Sequence, residues 1–270
     1  METVKAYAKV NLTLDVLRKR ADGYHDLRSI MHGIDLYETV TLEPANSIAV
    51  SCDVPLPDNS ATYRAARAYM ALTGLGAHIE IKKFIPDEAG LGAASANAAA
   101  VFLGMQKLYG ALSTERLYAL AAMIGADVPF CMTQGCALAE GIGDKLTALK
   151  RIPLDLLIVK AAKGISTKEL FSSLKLPVKH PSTRAALRAV ERGDARALAK
   201  HMYNALEDCA TAFVPEIRSL KERLLAQGAL GATMTGSGSA VVGVFENAAA
   251  ARAAAKGFSD CEFVRACRTI

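Results

Sequence analysis

The stretch from Ile85 to Gly110, IPDEAGLGAASANAAAVFLGMQKLYG, limits what this chain can become more than any other. Ahead of it, HIEIKKFI (His78 to Ile85) alternates apolar and polar residues, the period of a half-buried strand. Behind it, Asn97 to Tyr109 is rich in Ala, Leu, Met and Gln, a composition that favours helix. Between the two lie Gly90, Gly92 and the small residues Ala93, Ala94 and Ser95, with Leu91 the one bulky group. A strand that enters a helix through such a loop leaves unpaired backbone N–H groups at the helix start. Those donors and the helix dipole together favour an anion, most often phosphate. Ser95 is placed to cap the helix, or to offer its hydroxyl to a phosphate or a metal ion. Tight packing of strand against helix accounts for the same small residues, so both readings stay open on this stretch alone. A P-loop is excluded because no Lys follows the second Gly, and the Rossmann fingerprint is excluded because its third spaced Gly is missing.

A length of 270 residues suits one large domain or two moderate ones with room for a real core. The surplus of 32 basic over 27 acidic residues is mild and scattered, which argues for anionic small molecules and against a nucleic-acid surface. Cys52, Cys131, Cys136, Cys209, Cys261 and Cys267 form no C-x-x-C pair and no zinc spacing, so reduced thiols in a reducing compartment are expected. The N-terminal METVKAYAKVNLTLDV lacks a signal-peptide apolar core, and no run of 18 apolar residues exists. The expectation is a cytoplasmic protein with no membrane partner.

Val4 to Leu17 reads as a strand carrying Lys9 and Asn11 among small and apolar neighbours. A Lys there can be a surface residue with a snorkelling stem. Asp22-Gly23 signals a turn, and Tyr24-His25 follows it, suited either to a flat heterocycle or to simple loop packing. Strands are expected over Ser29 to Glu43 and Ser47 to Cys52, then helices over Ala61 to Leu72 and Ser113 to Met123. Next comes GADVPF, where Asp127 stands before Val-Pro and a buried-looking FCM run. A carboxylate in such a place needs a partner, for which a cation such as Lys9 would serve, or it caps a turn.

A composition change at Lys150-Arg151-Ile152-Pro153 marks a boundary, dividing the chain into residues 1–150 and 151–270. The second part shows an apolar strand over Leu154 to Ala161, helices over Ser166 to Leu174, Ser182 to Arg192 and Ala195 to Leu206, and a helix opened by Pro215. Ala232 to Gly238 and Ala240 to Phe245 read as paired strands around TGSGS, followed by an Ala-rich helix and a last strand over Cys261 to Arg268. The alternation is irregular, so the fold class is α+β.

With AYAKVNLTLDV, GLGAASANAAA and MTGSGSAVVGVF in place, the chain resembles the GHMP kinases, a superfamily of small-molecule kinases. AKVNLTLDVLRKRADGYHDLRSI, GADVPF and AEGIGDKL make it most similar to the branch whose substrate carries a cytidine diphosphate and which serves non-mevalonate isoprenoid precursor biosynthesis. The central motif differs from the usual G-L-G-G-G-S-S-D-A at Ala93, Ala94, Ala96 and Asn97, and Asp87 and Glu88 stand ahead of it.

The resemblance implies two domains, an N-terminal ribosomal-protein-S5-like domain that binds ATP and a C-terminal ferredoxin-like domain. It implies that Asp127 is the general base on the substrate hydroxyl, and that Lys9 pairs with Asp127 and stabilises charge on the phosphoryl group. Gly90, Leu91, Gly92, Ala93, Ala94 and Ser95 would wrap the phosphates of ATP, with Mg²⁺ as cofactor and its ligands unassigned. Asn11 would bind substrate, Tyr24 and His25 would hold the cytosine ring, and Thr167 and Phe171 would close that pocket. The partner is a small cytidyl substrate, and the protein is a monomer or homodimer. Two alternatives remain at this point: a GHMP kinase for another small alcohol, such as mevalonate or homoserine, and a catalytically silent nucleotide-binding relative.

Overall fold

A computed structural model describes residues 1–178 and 181–270. In chain order the first half carries β1 (Glu2–Lys19), β2 (His25–Ala45), β3 (Ala49–Cys52), α1 (Ala61–Thr73), β4 (Gly76–Lys82), α2 (Ala93–Tyr109), α3 (Thr114–Ile124), α4 (Val128–Thr133), β5 (Cys136–Gly141) and β6 (Lys145–Leu149). The second half carries β7 (Asp155–Lys160), α5 (Thr167–Ser173), α6 (Thr183–Arg192), α7 (Ala195–Lys200), β8 (Tyr203–Asn204), α8 (Glu207–Phe213), α9 (Glu216–Ala226), β9 (Gly231–Met234), β10 (Val241–Phe245), α10 (Ala248–Ala255) and β11 (Phe263–Arg268). The chain forms two compact units, each assembled from separate segments. The first holds residues 1–8, 36–85 and 92–134, and the second holds 9–35, 86–91 and 135–270.

In the first unit, β4 pairs antiparallel with the far half of β2, from Thr39 opposite Lys82 to Ala45 opposite Gly76, and parallel with β3. Alternation along β4 buries Ala77, Ile79 and Ile81 on one face. Helices α1 and α2 cover that face, and Ala98, Ala99 and Ala100 of α2 let the helices approach closely around Tyr69 and Phe102. Ser113 caps α3 by accepting from the Arg116 N–H. A buried carboxylate, Glu38, accepts from the N–H groups of Phe84 and Ile85 and, at 2.6 Å, from Nδ2 of Asn97. It thereby fastens the end of the strand before the glycine loop and the first turns of the helix after it.

In the second unit, β7, β9, β10 and β11 form a four-stranded sheet in the order β11-β7-β10-β9. Every neighbour is antiparallel, and helices connect β7 to β9 and β10 to β11. This strand order, fourth-first-third-second in chain terms, is that of the ferredoxin-like split βαβ arrangement. Its strands are apolar because both faces are covered: Leu156, Leu157, Ile158 and Val159 of β7 are all fully buried. The near half of β2 pairs with β5, and β5 with β6, in the same unit.

Three local readings change. Helix α2 begins at Ala93 rather than Asn97 because the small residues after Gly92 are themselves good helix formers. Ser95 therefore lies inside the helix and does not cap it, the cap position being Gly92 at φ +74°. The helix expected over Ala195 to Leu206 ends at Lys200, and Tyr203–Asn204 instead pair in parallel with Thr13 and Leu14 of β1. Pro129, a breaker in the interior of a helix, sits in the first turn of α4, where its missing N–H costs nothing. No helix among the described residues is long and apolar enough to cross a membrane.

Candidate active site

Lys9 is not a surface residue. It lies on β1 with 4% of its area exposed, and its Nζ donates to Asn11 Oδ1 at 2.6 Å and to the Gly90 carbonyl at 3.0 Å. The Lys9 backbone N–H donates in turn to the carbonyl of Leu91. Asn11 donates its own N–H to Thr235 Oγ1 at 2.9 Å and its Nδ2 to Ser29 Oγ at 2.7 Å. Thr235 Oγ1 also reaches the Gly90 carbonyl, at 3.4 Å. Three sequence motifs more than 80 residues apart thus meet on one carbonyl of the glycine loop.

The loop is held so closely that its shape excludes a side chain. Gly90 has φ +71°, and a Cβ there would stand 1.9 Å from the carbonyl oxygen of Thr235. The TGSGS turn presses from that side, with Ser239 and Ala240 donating their N–H groups to the carbonyls of Glu88 and Ala89. The backbone is therefore fixed while the side chains of Asp87 and Glu88 are exposed, Glu88 lying over the backbone of Gly164. Thr235, Ser29 and Glu38 went unnoticed in the sequence, because small hydroxyls and one acid within β-type alternation carry no periodic signal.

Gly92, Ala93, Ala94 and Ser95 open α2 in the first unit. Ala93 is buried, whereas Ala94 is exposed and Ser95 is half-buried, so the methyl of Ala93 turns into the fold. The N–H groups of this first turn lack partners within the helix and remain available as anion donors. Asp127, also of the first unit, is half-buried at the start of α4, and its carboxylate does not accept from that helix's own N–H groups. It stands at the N-cap position of α4 without a side-chain bond to that helix.

In the second unit, the turn from β1 to β2 is closed by the Arg20 N–H on the Tyr24 carbonyl, as Asp22-Gly23 required. It borders a cavity of about 640 Å³ lined by Tyr24, His25, Leu27, Ile142, Thr167 and Phe171 among others. His25 and Phe171 face each other with ring centroids 5.1 Å apart and planes inclined by 32°. Tyr24 is 61% exposed and lines the same cavity. Burial, helped by the charge of Lys19, lowers the pKa of His25 below the usual imidazole value, so its ring is neutral near pH 7. Thr167 and Ser237 share a hydrogen bond of 2.7 Å, which ties the start of α5 to the TGSGS turn. All four residues predicted for the heterocycle pocket therefore line one cavity.

The model of the GHMP kinases N terminal domain matches residues 60–135, and that of the GHMP kinases C terminal domain matches residues 186–261. The chain belongs to the GHMP kinase family, ATP-dependent kinases of small molecules.

Within that family its relatives are 4-diphosphocytidyl-2-C-methyl-D-erythritol kinases. The protein of that name from Caldicellulosiruptor saccharolyticus is 44% identical over 90% of this chain and 88% of its own length. The one from Carboxydothermus hydrogenoformans is 43% identical with the same coverage. A crystal structure of 4-(cytidine 5'-diphospho)-2C-methyl-D-erythritol kinase superposes with a TM-score of 0.87 at 33% identity, covering 99% of both chains. Homoserine kinase from Cytophaga hutchinsonii, at 18% identity and a TM-score of 0.75, shares the fold.

Proposed function

We propose that this chain transfers the γ-phosphoryl group of ATP to the 2-hydroxyl of 4-diphosphocytidyl-2-C-methyl-D-erythritol, in non-mevalonate isoprenoid precursor biosynthesis in the cytoplasm. The observation that carries this reading is the cavity where Tyr24, His25, Thr167 and Phe171 converge, beside relatives that bear this name over most of their length. A neutral imidazole offers one donor and one acceptor, which complement the amino group and ring nitrogen of cytosine. Tyr24 and Phe171 supply the faces against which such a ring stacks.

In this reading the substrate hydroxyl gives its proton to Asp127 as its oxygen bonds to the γ-phosphorus, and ADP leaves. Lys9 stabilises the charge that spreads over the transferring group, and Asn11 orients the substrate. Gly90 to Ser95 bind the ATP phosphates through backbone N–H groups, which asks for positioning and charge neutralisation rather than covalent help. Among the described residues no cluster of three His, Cys, Asp or Glu side chains is gathered. Mg²⁺, if it accompanies ATP here, would be carried mainly by phosphate oxygens and water, its usual preference, with the Ser95 hydroxyl as a protein ligand it could use. Residues 1–150 would be the ATP-binding part and 151–270 the C-terminal part, the two family matches lying on either side of the division.

The test is a coupled ADP-release assay with Mg²⁺ and, in parallel, the cytidyl substrate, mevalonate and homoserine. Turnover confined to the cytidyl substrate is expected, and Asp127→Asn should lower kcat on the order of 10²–10⁴-fold. A loss under tenfold would remove Asp127 from the role of base. ATP binding with no turnover of any of the three would overturn the kinase assignment to this substrate.

A further inference from the structure

Two cations at the same cavity have no part in the chemistry so far. Lys19, the last residue of β1, and Lys168, the second residue of α5, both line it and both are exposed. Neither ammonium makes a hydrogen bond or ion pair among the described residues. The nearby acids are engaged elsewhere: Asp26 accepts from Arg18 at 2.6 Å and from Arg20 at 3.3 Å, and Asp22 pairs with Arg20 at 2.9 Å. Among the described residues no Asp or Glu lines the cavity, so the described wall carries two positive charges and no negative one. The field of Lys19 already reaches His25, whose pKa it helps to lower. An aromatic and imidazole end beside two unneutralised ammonium groups is the profile of a nucleotide site rather than a nucleoside site.

We infer that Lys19 and Lys168 are specificity residues that hold the diphosphate of the substrate, selecting a pyrimidine nucleoside diphosphate ester over the bare nucleoside. The inference rests on the cytidyl reading of the cavity and adds to it the groups that read the anion. Two ammonium charges match the two negative charges of a diphosphodiester, and charge-assisted contacts to phosphate are stronger than neutral ones. Because both lysines are exposed, their attraction is screened by salt, whereas stacking of the ring is not.

The test measures cytidine and CDP binding by calorimetry, with the ATP site filled by a non-hydrolysable ATP analogue. The wild-type chain should bind CDP about tenfold or more tightly than cytidine. Lys19→Gln/Lys168→Gln should bring that ratio to within about threefold of unity while cytidine affinity stays level, and Lys19→Arg/Lys168→Arg should keep most of the preference. In the unaltered protein, raising NaCl should weaken CDP and leave cytidine unchanged, a readout that needs no variant to fold. An undiminished CDP preference in the double Gln variant, or equal salt sensitivity of the two ligands, overturns the lysine assignment and leaves the cytidyl cavity standing. Failure of the wild-type chain to bind either ligand overturns both.

Discussion

Around Gly90 the second unit is closed on itself, whereas around Tyr24 the same unit stands open. At the loop, Lys9, Asn11, Ser29 and Thr235 direct their polar atoms at one another and at backbone carbonyls, and a single methyl on Gly90 has no room. At the cavity, Tyr24 is largely exposed, Lys19 and Lys168 reach solvent, and the ring pair of His25 and Phe171 encloses space rather than filling it. The closed region has its dipoles arranged before any ligand arrives, which is what stabilising a transferring phosphoryl group requires. On the proposed reading, the open region would admit and release a bulky nucleotide. Substitutions in the first should therefore lower kcat, and those in the second should raise KM.

The largest break in that contrast would come from Lys9→Met, which keeps the stem and removes the ammonium. It leaves Asn11 Oδ1 and the Gly90 carbonyl without their cationic donor. A fall in kcat on the order of 10²–10³-fold is expected, with KM for the cytidyl substrate within about threefold. Steady-state kinetics in which KM moved and kcat did not would merge the two regions into one binding surface.

Two histidines of β2 carry the comparison into pH. His32 is 1% exposed, its Nδ1 faces the Gly33 carbonyl and its Nε2 accepts from the Ile152 N–H, so both nitrogens are committed to the neutral tautomer. Burial, opposed by the Gly33 contact and aided by the charge of Arg151, lowers its pKa from 6.5 to about 4. With the folded value below the unfolded one, its contribution is complete above about pH 6.5 and is lost as pH falls towards 4, by about 3 kcal/mol in all. Urea melts of the wild-type chain and His32→Gln between pH 7.5 and 4 should converge over that window, and parallel curves would refute the buried neutral state. His25, lowered in the same direction at the cavity edge, should instead affect binding. Its protonation in acid removes the acceptor, so KM for the cytidyl substrate rises as pH drops while kcat holds.

The smallest effect is expected from Phe171→Ala. Losing one wall of the cavity should raise KM about tenfold and leave kcat within about twofold, since the ring lines the cavity and makes no hydrogen bond to a reacting group. A kcat loss greater than the KM change would show that the cavity shapes the chemistry as well as the binding.

Much of the candidate site was readable from order along the chain. Gly90 and Gly92 announced a small-residue loop opening a helix, and Tyr24-His25 after Asp22-Gly23 announced rings presented by a turn. The strand before the loop followed from a period of 2, and the helix after it from its composition. The start of α2 was misplaced because loop and helix are both built from small residues there, and composition does not distinguish them. Tyr203–Asn204 looked helical because the pairing that makes them a strand comes from Thr13 and Leu14, 190 residues away.

By itself the sequence determined the local elements, the α+β class, the family and the residue types available for phosphoryl transfer, since each is written in short-range pattern and motif. Tertiary structure alone decided that Lys9 is buried, that Thr235 and Ser29 brace Asn11, and that Glu38 fastens both flanks of the glycine loop. The physical reason is that a polar group's role depends on which partner removes it from water. That partner is chosen by packing between distant segments, which no window along the chain contains.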